Sequence, residues 1–468
     1  MNLIRASLIM SSLAAVGVAQ AQTATAPAAA PAAAAAAPKS DAGNSLTWNG
    51  ITLYGIIDIG LQYQTHGVPI SDYFPAGSEA IISKNSNGSI TGLTPSNLSQ
   101  SRIGLSGLEP LGNDFSFVFR LETFFNPQSG NLSDGLKSIT LNNGKSLTEQ
   151  TTTVDSSVAG QLFGGAAYLG LTHAQAGSLT FGRHVTPLAD GISKYDPMGA
   201  AQAFSVIGFS GTAAGGGDTE NRRMDDSVKY SGKFGPVHVG ALYQFNGASG
   251  SANTAFQGQL GFELGGGSID GYYAKKKGAV GAAPMSAAQF VLAPTLGYST
   301  SDSVASTISD NTTYSVMALY SFGAPKIFFG YEHVKFENPE NPVAPGTSTV
   351  GGYILAFTNN AAYTNPKTLE VLWAGAKYAI TPAFEVTGAY YGYRQDAFAS
   401  GANAGCSSDV SAQCKGQLNA FSLLGDYKFS KRFDGYLGSM WSEVQDGLAN
   451  GYLNKSTVTT TLGMRFKF

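Results

Sequence analysis

Charge, cysteine and long apolar runs are all scarce in this chain, and each shortage removes a class of protein. Only 13% of the 468 residues are Asp, Glu, Lys or Arg, and the formal net charge is -3. The basic residues are spread rather than clustered, so there is no electrostatic footprint for nucleic acid. Beyond the N-terminus no stretch approaches the ~20 consecutive apolar residues of a membrane helix, and helical amphipathic periodicity is rare. The two cysteines, Cys406 and Cys414, cannot build a structural zinc site unaided, and no histidine lies near them. No metal and no cofactor are expected. His66, His173, His184, His238 and His333 are scattered, with no GxSxG or HExxH around them. A catalytic site needs a nucleophile and base within hydrogen-bond reach, so an enzyme is not expected.

What the chain has is strand and turn, with 59 Gly and 22 Tyr. Residues 1–21 read as an export signal: Arg5, an apolar core from Ala6 to Val18, and a small-residue cleavage site at Ala19-Gln20-Ala21. Residues 22–48 begin as an Ala/Pro-rich spacer in which proline interrupts helix formation. In an exported chain, Cys406 and Cys414 are expected to close a loop as a disulfide, with free thiols as the alternative.

From Ile51 onward, side chains alternate apolar and polar with the period of a strand. Sixteen strands are expected, near 51–64, 101–109, 115–125, 163–172, 178–185, 226–234, 236–245, 256–265, 267–275, 314–322, 326–336, 368–379, 383–394, 417–429, 433–443 and 457–468. Seven short turns alternate with eight longer loops, the third of which runs from about Thr186 to Asp225. That alternation is what a closed, even-numbered, antiparallel transmembrane β-barrel requires when both chain ends lie on the short-turn side. Closure also removes the unpaired edges that so many strands would otherwise expose.

Parity assigns directions. Arg102 alternates with Ile103 and Leu105, and Arg120 with Phe119 and Leu121, so both point inward. Arg223 shares parity with Ser227 and Lys229 and is expected to reach the lumen as well. Arg183 has the parity of the lipid-facing Leu179 and Phe181.

Several stretches, in order, resemble the trimeric general porins of Gram-negative bacteria, most closely the beta-proteobacterial branch. They are TLYGIIDIGLQY, SRIGLSGLEPLGNDFSFVFRLE, FGGAAYLGLTHAQAGSLTFGRHVTP, SVKYSGKFGPVHVGALYQF and the closing TLGMRFKF. The last of these is similar to the C-terminal assembly signal of outer-membrane proteins. The resemblance covers residues 49–468. It implies a homotrimer in the bacterial outer membrane, amid lipid and lipopolysaccharide, that passes ions and small hydrophilic solutes by passive diffusion. It further implies that the third long loop folds inward and narrows the pore.

By the same resemblance Arg102, Arg183 and Arg223 match a basic pore wall, with Arg120 as an addition. For Arg183 this requires a local bulge or strand end. The loop offers Asp190, Asp196, Asp218 and Glu220 as facing acids, giving a transverse field that orients dipolar solutes. The PEFGG sequence of enterobacterial relatives is missing, so the acid positions do not transfer. The alternatives are a channel selective for an anion or a sugar and, more remotely, an outer-membrane barrel enzyme. Most aromatics have lipid-facing parity, which disfavours a sugar path.

Overall fold

A computed structural model describes residues 46–66, 88–150, 160–207, 222–245 and 254–468. The expected leader 1–21 and the spacer up to residue 45 lie outside the described residues. The end of the expected spacer is paired: Thr47–Trp48 forms a two-residue antiparallel bridge with Ile51 and Thr52.

The strands that form the wall are β1 (Ile51–Gln64), β2 (Arg102–Gly112), β3 (Phe115–Phe124), β4 (Ala166–His173), β5 (Gly177–Val185), β6 (Arg223–Phe234), β7 (Val237–Gln244) and β8 (Ala255–Glu263). They continue as β9 (Gly267–Ala283), β10 (Ser303–Ser321), β11 (Pro325–Glu337), β12 (Lys367–Ala379), β13 (Phe384–Gln395), β14 (Gly416–Lys428), β15 (Phe433–Asp446) and β16 (Ser456–Lys467). Consecutive strands pair antiparallel throughout. The ring closes where β1 pairs with β16, from Ile56 opposite Lys467 to Gln64 opposite Thr459. Short helices in the long connections include α1 (Gly135–Leu141), α2 (Pro187–Tyr195) and α3 (Ala287–Leu292).

The pattern on β1 shows how the sequence drives this. Ile57, Leu61 and Tyr63 are exposed, while Asp58, Gln62 and Gln64 are fully buried. On β16, Leu462, Met464 and Phe466 are exposed and Thr457, Thr459 and Thr461 are buried. An apolar outer face with polar groups behind it is the reverse of a water-soluble barrel and suits a wall surrounded by hydrocarbon. Tyr243, Tyr378, Tyr427 and Phe429 lie exposed near strand ends, where interfacial aromatics belong. The tight turn between β2 and β3 places both Asn113 (φ 50°) and Asp114 (φ 62°) in the left-handed region, the conformation of a type I′ hairpin.

The structure differs from expectation in several places; among them, Tyr353–Asn359, expected within the 337–367 loop, is a strand that pairs parallel with Ser303–Thr307 of β10. β9 and β10 are longer than the segments 267–275 and 314–322, extending past an irregularity between Lys276 and Ala279. In the first long loop, Ile90–Pro95 pairs with the outer half of β1 while β2 takes the inner half. The intervening turn is held by Asp58, whose carboxylate accepts the backbone N–H groups of Asn97 (3.3 Å), Leu98 (2.9 Å) and Ser99 (2.8 Å).

Candidate functional site

Four arginines gather on the inner face of β2, β3, β5 and β6. Arg102 and Arg120 lie across from Glu122, at 3.7 and 2.6 Å. Arg120 Nε also donates to Tyr54 Oη (2.7 Å), and that hydroxyl donates to Glu122 (3.1 Å). Glu122 is buried, so its charge is tolerated because these donors surround it. It has the same strand parity as Arg120, the one signal in the sequence that could have added it to the site.

Arg183 is 6% exposed although Leu179 and Phe181, four and two residues earlier, are 44% and 52% exposed. The register between β5 and β6 shifts between Gly182 and His184, and Gly182 adopts φ +134°. This one-residue irregularity turns both Arg183 and His184 away from the lipid side. Arg183 then donates to Asp225 (2.7 Å) and to the Gly164 carbonyl (3.2 and 3.0 Å). Arg223 donates to the next carbonyl, Gly165 O (3.1 Å), and lies over the Phe124 ring at 4.7 Å. The Gly164-Gly165 pair ahead of β4 therefore presents two successive carbonyls to two guanidiniums. A side chain at Gly165 would meet Glu122 Oε1 at 2.5 Å, so the glycine also makes room for the buried acid.

The third long loop packs against the side chains on the polar face of the wall. Thr186 caps α2 by accepting from Ala189 N (3.2 Å), with Pro187 at the first helical position. From the last residue of α2 onward, the loop is fastened to widely separated strands. Tyr195 Oη meets Ser268 Oγ on β9 at 2.8 Å, and Trp373 Nε1 on β12 donates to Tyr195 O (3.1 Å). Ser422 on β14 donates to Phe204 O (2.6 Å), while the Phe204 ring meets Tyr436 of β15 edge-on. Phe204, Val206 and Ile207 are buried in this contact, and the alanines at 201 and 203 allow close approach.

The loop acids divide. Asp190 pairs with Lys229 of β6 at 2.6 Å and remains half exposed. Asp196, expected to face the arginines, is instead 2% exposed at the end of α2. It accepts from Tyr391 Oη (2.5 Å), Met198 N (3.1 Å) and Ala200 N (2.8 Å). Burial pushes its carboxyl above the usual range, while those hydrogen bonds pull it back. Its geometry makes it a clamp that holds the loop to β13. Asp218 and Glu220 lie outside the described residues. On β9, Asp270 gathers Lys194 of α2 (3.7 Å), Tyr272 (2.9 Å), Gln259 (3.0 Å) and His238, a second anchor for the loop. Cys406 and Cys414 form a disulfide in the β13–β14 loop, with Cα atoms 4.8 Å apart.

A family profile described as Gram-negative porin matches residues 21–447. Among curated relatives, an outer membrane porin protein of Bordetella pertussis is 30% identical over 195 residues, covering 42% of this chain and 43% of its own. Outer membrane porin protein 32 of Delftia acidovorans is 25% identical over 248 residues, 51% of this chain and 58% of its own. The alignments thus span about half the length of these relatives. Among solved structures, an anion-selective porin from Comamonas acidovorans superposes with a TM-score of 0.59 at 19% identity, covering 89% of this chain and 99% of its own. A trimer form of OmpT, an outer membrane protein of Vibrio cholerae, gives 0.54 at 13% identity, with coverage of 89% and 99%. These two structural likenesses speak to the fold.

Proposed function

The chain belongs to the Gram-negative porin family, and from that membership we propose that it forms a water-filled pore for passive diffusion of ions and small hydrophilic solutes. The family is one of outer-membrane channels rather than enzymes. In this reading residues 1–21 direct export, three copies assemble amid lipid and lipopolysaccharide, and the segment from α2 to Ile207 narrows each lumen. The observation that carries it is the set of four inward arginines on β2, β3, β5 and β6, on the polar face of a closed barrel whose other face is apolar.

Two carboxylates, Glu122 and Asp225, accompany the four guanidiniums. The wall keeps a net positive character, which supports a mild preference for anions over a dedicated anion site. The relative from Comamonas acidovorans, described as anion-selective, points the same way. Of the two loop acids among the described residues, Asp190, paired with Lys229, faces this wall, and Asp196 serves to hold the loop.

Proteoliposomes carrying the purified protein should swell in an isotonic monosaccharide and progressively more slowly as the sugar lengthens. Swelling no faster than in protein-free liposomes would contradict the proposal.

A further inference from the structure

The connection between β3 and β4 is rooted on one sector of the long-loop rim, yet it is docked on another. Leu136 and Ile139 of α1 are fully buried against Val280 of β9, Val304 and Ile308 of β10, and Leu355. β4 and β9 stand five places apart in the closed ladder of sixteen. Polar contacts fix the same junction. Tyr353 Oη donates to Asp134 (2.6 Å), the residue that caps α1. Asn143 donates to the carbonyls of Thr300 (2.8 Å) and Ser303 (2.9 Å) and accepts from Met285 N (2.8 Å). Gly144 N donates to Met285 O (2.8 Å). The prolonged β9–β10 hairpin supplies the platform, carried beyond the rest of the wall past its irregularity at Lys276.

A connection that leaves one sector and seats two apolar side chains on a hairpin five strands away has to bridge the rim. Leu136 and Ile139 would be exposed to water if it let go, which favours the docked state. We infer that residues 126–150, the described stretch of the β3–β4 connection, form a strap laid across the outer entrance of their own barrel, and that this strap sets a limit on solute size separate from the one set by the third loop. This rests on the pore reading above. Leu136 and Ile139 are the specificity-determining residues, acting through the position of the strap and not by touching solute.

Two measurements test it on the full-length protein in its membrane-inserted form. A photoreactive p-benzoylphenylalanine in place of Tyr353 should cross-link to the α1 region of the same chain, so that the denatured product runs as a single chain. Cross-links that join two chains would overturn the inference, because the connection would then reach a neighbour. The pair Leu136→Asp and Ile139→Asp should admit a trisaccharide several-fold faster, while monosaccharide entry and the chloride-to-potassium ratio stay unchanged. An unaltered trisaccharide rate would also overturn it. Should that pair fail to assemble, Asn143→Ala, which removes only hydrogen bonds, serves the same comparison. Native protein that passes no monosaccharide at all would defeat the pore reading itself, and the cross-link would still report where the strap lies.

Discussion

Replacing Arg102 and Arg120 together by alanine is expected to lower the chloride-to-potassium permeability ratio about fivefold, since a unit charge ~7 Å from a passing ion in salt-screened water contributes about 0.25 kcal/mol, of opposite sign for the two ions. These two are the choice because their side chains are about one third exposed to the interior, whereas Arg183 and Arg223 are almost covered. Glu122→Gln should shift the ratio in the opposite direction, about twofold, as one carboxylate is lost and the guanidiniums remain. The zero-current potential across a KCl gradient reads both. Equal ratios in all three proteins would mean that the arginines do not face the permeating ions.

A second large effect is expected on assembly. Leu169 of β4 is 54% exposed with the parity of Leu171, and Thr172 on the same strand has the opposite parity. Leu169→Arg puts a charge on the lipid face and should cost about 2–4 kcal/mol near mid-membrane. The result should be a loss of folded barrel, seen as loss of the compact, heat-modifiable species on a gel. Thr172→Arg points toward the polar interior and should leave assembly near normal. If both variants assemble equally, the inside and outside of the wall have been assigned wrongly.

Much of this architecture is legible in the sequence because lipid and water impose opposite demands on alternate residues. The alternation from Ile51 to Gln64 and from Thr457 to Phe468 identifies both faces of the two strands that close the ring. Arg183 shows where alternation alone fails. Its parity points to lipid, and only the bulge at Gly182 reconciles it with the resemblance of FGRH to a pore-wall position. Asp196 fails for another reason: a loop carboxylate can face solvent or be enclosed, and its enclosure depends on Tyr391, almost two hundred residues away. The outer parts of β9 and β10 carry KKGAVGAA and SVASTISDNTT, which lack large alternating side chains because lipid no longer touches them. Ile90–Pro95 is hidden in a polar loop, since its pairing is set by where β2 begins. The docking of α1 on a distant hairpin has no local signature at all.

The most direct test of the central claim is a planar-bilayer recording of the purified protein under a tenfold KCl gradient. The account predicts stepwise conductance increases in groups of three, with a reversal potential of the sign given by anions crossing more readily than potassium. Correctly folded protein that inserts and carries no current would contradict an open pore and require a plugged barrel instead.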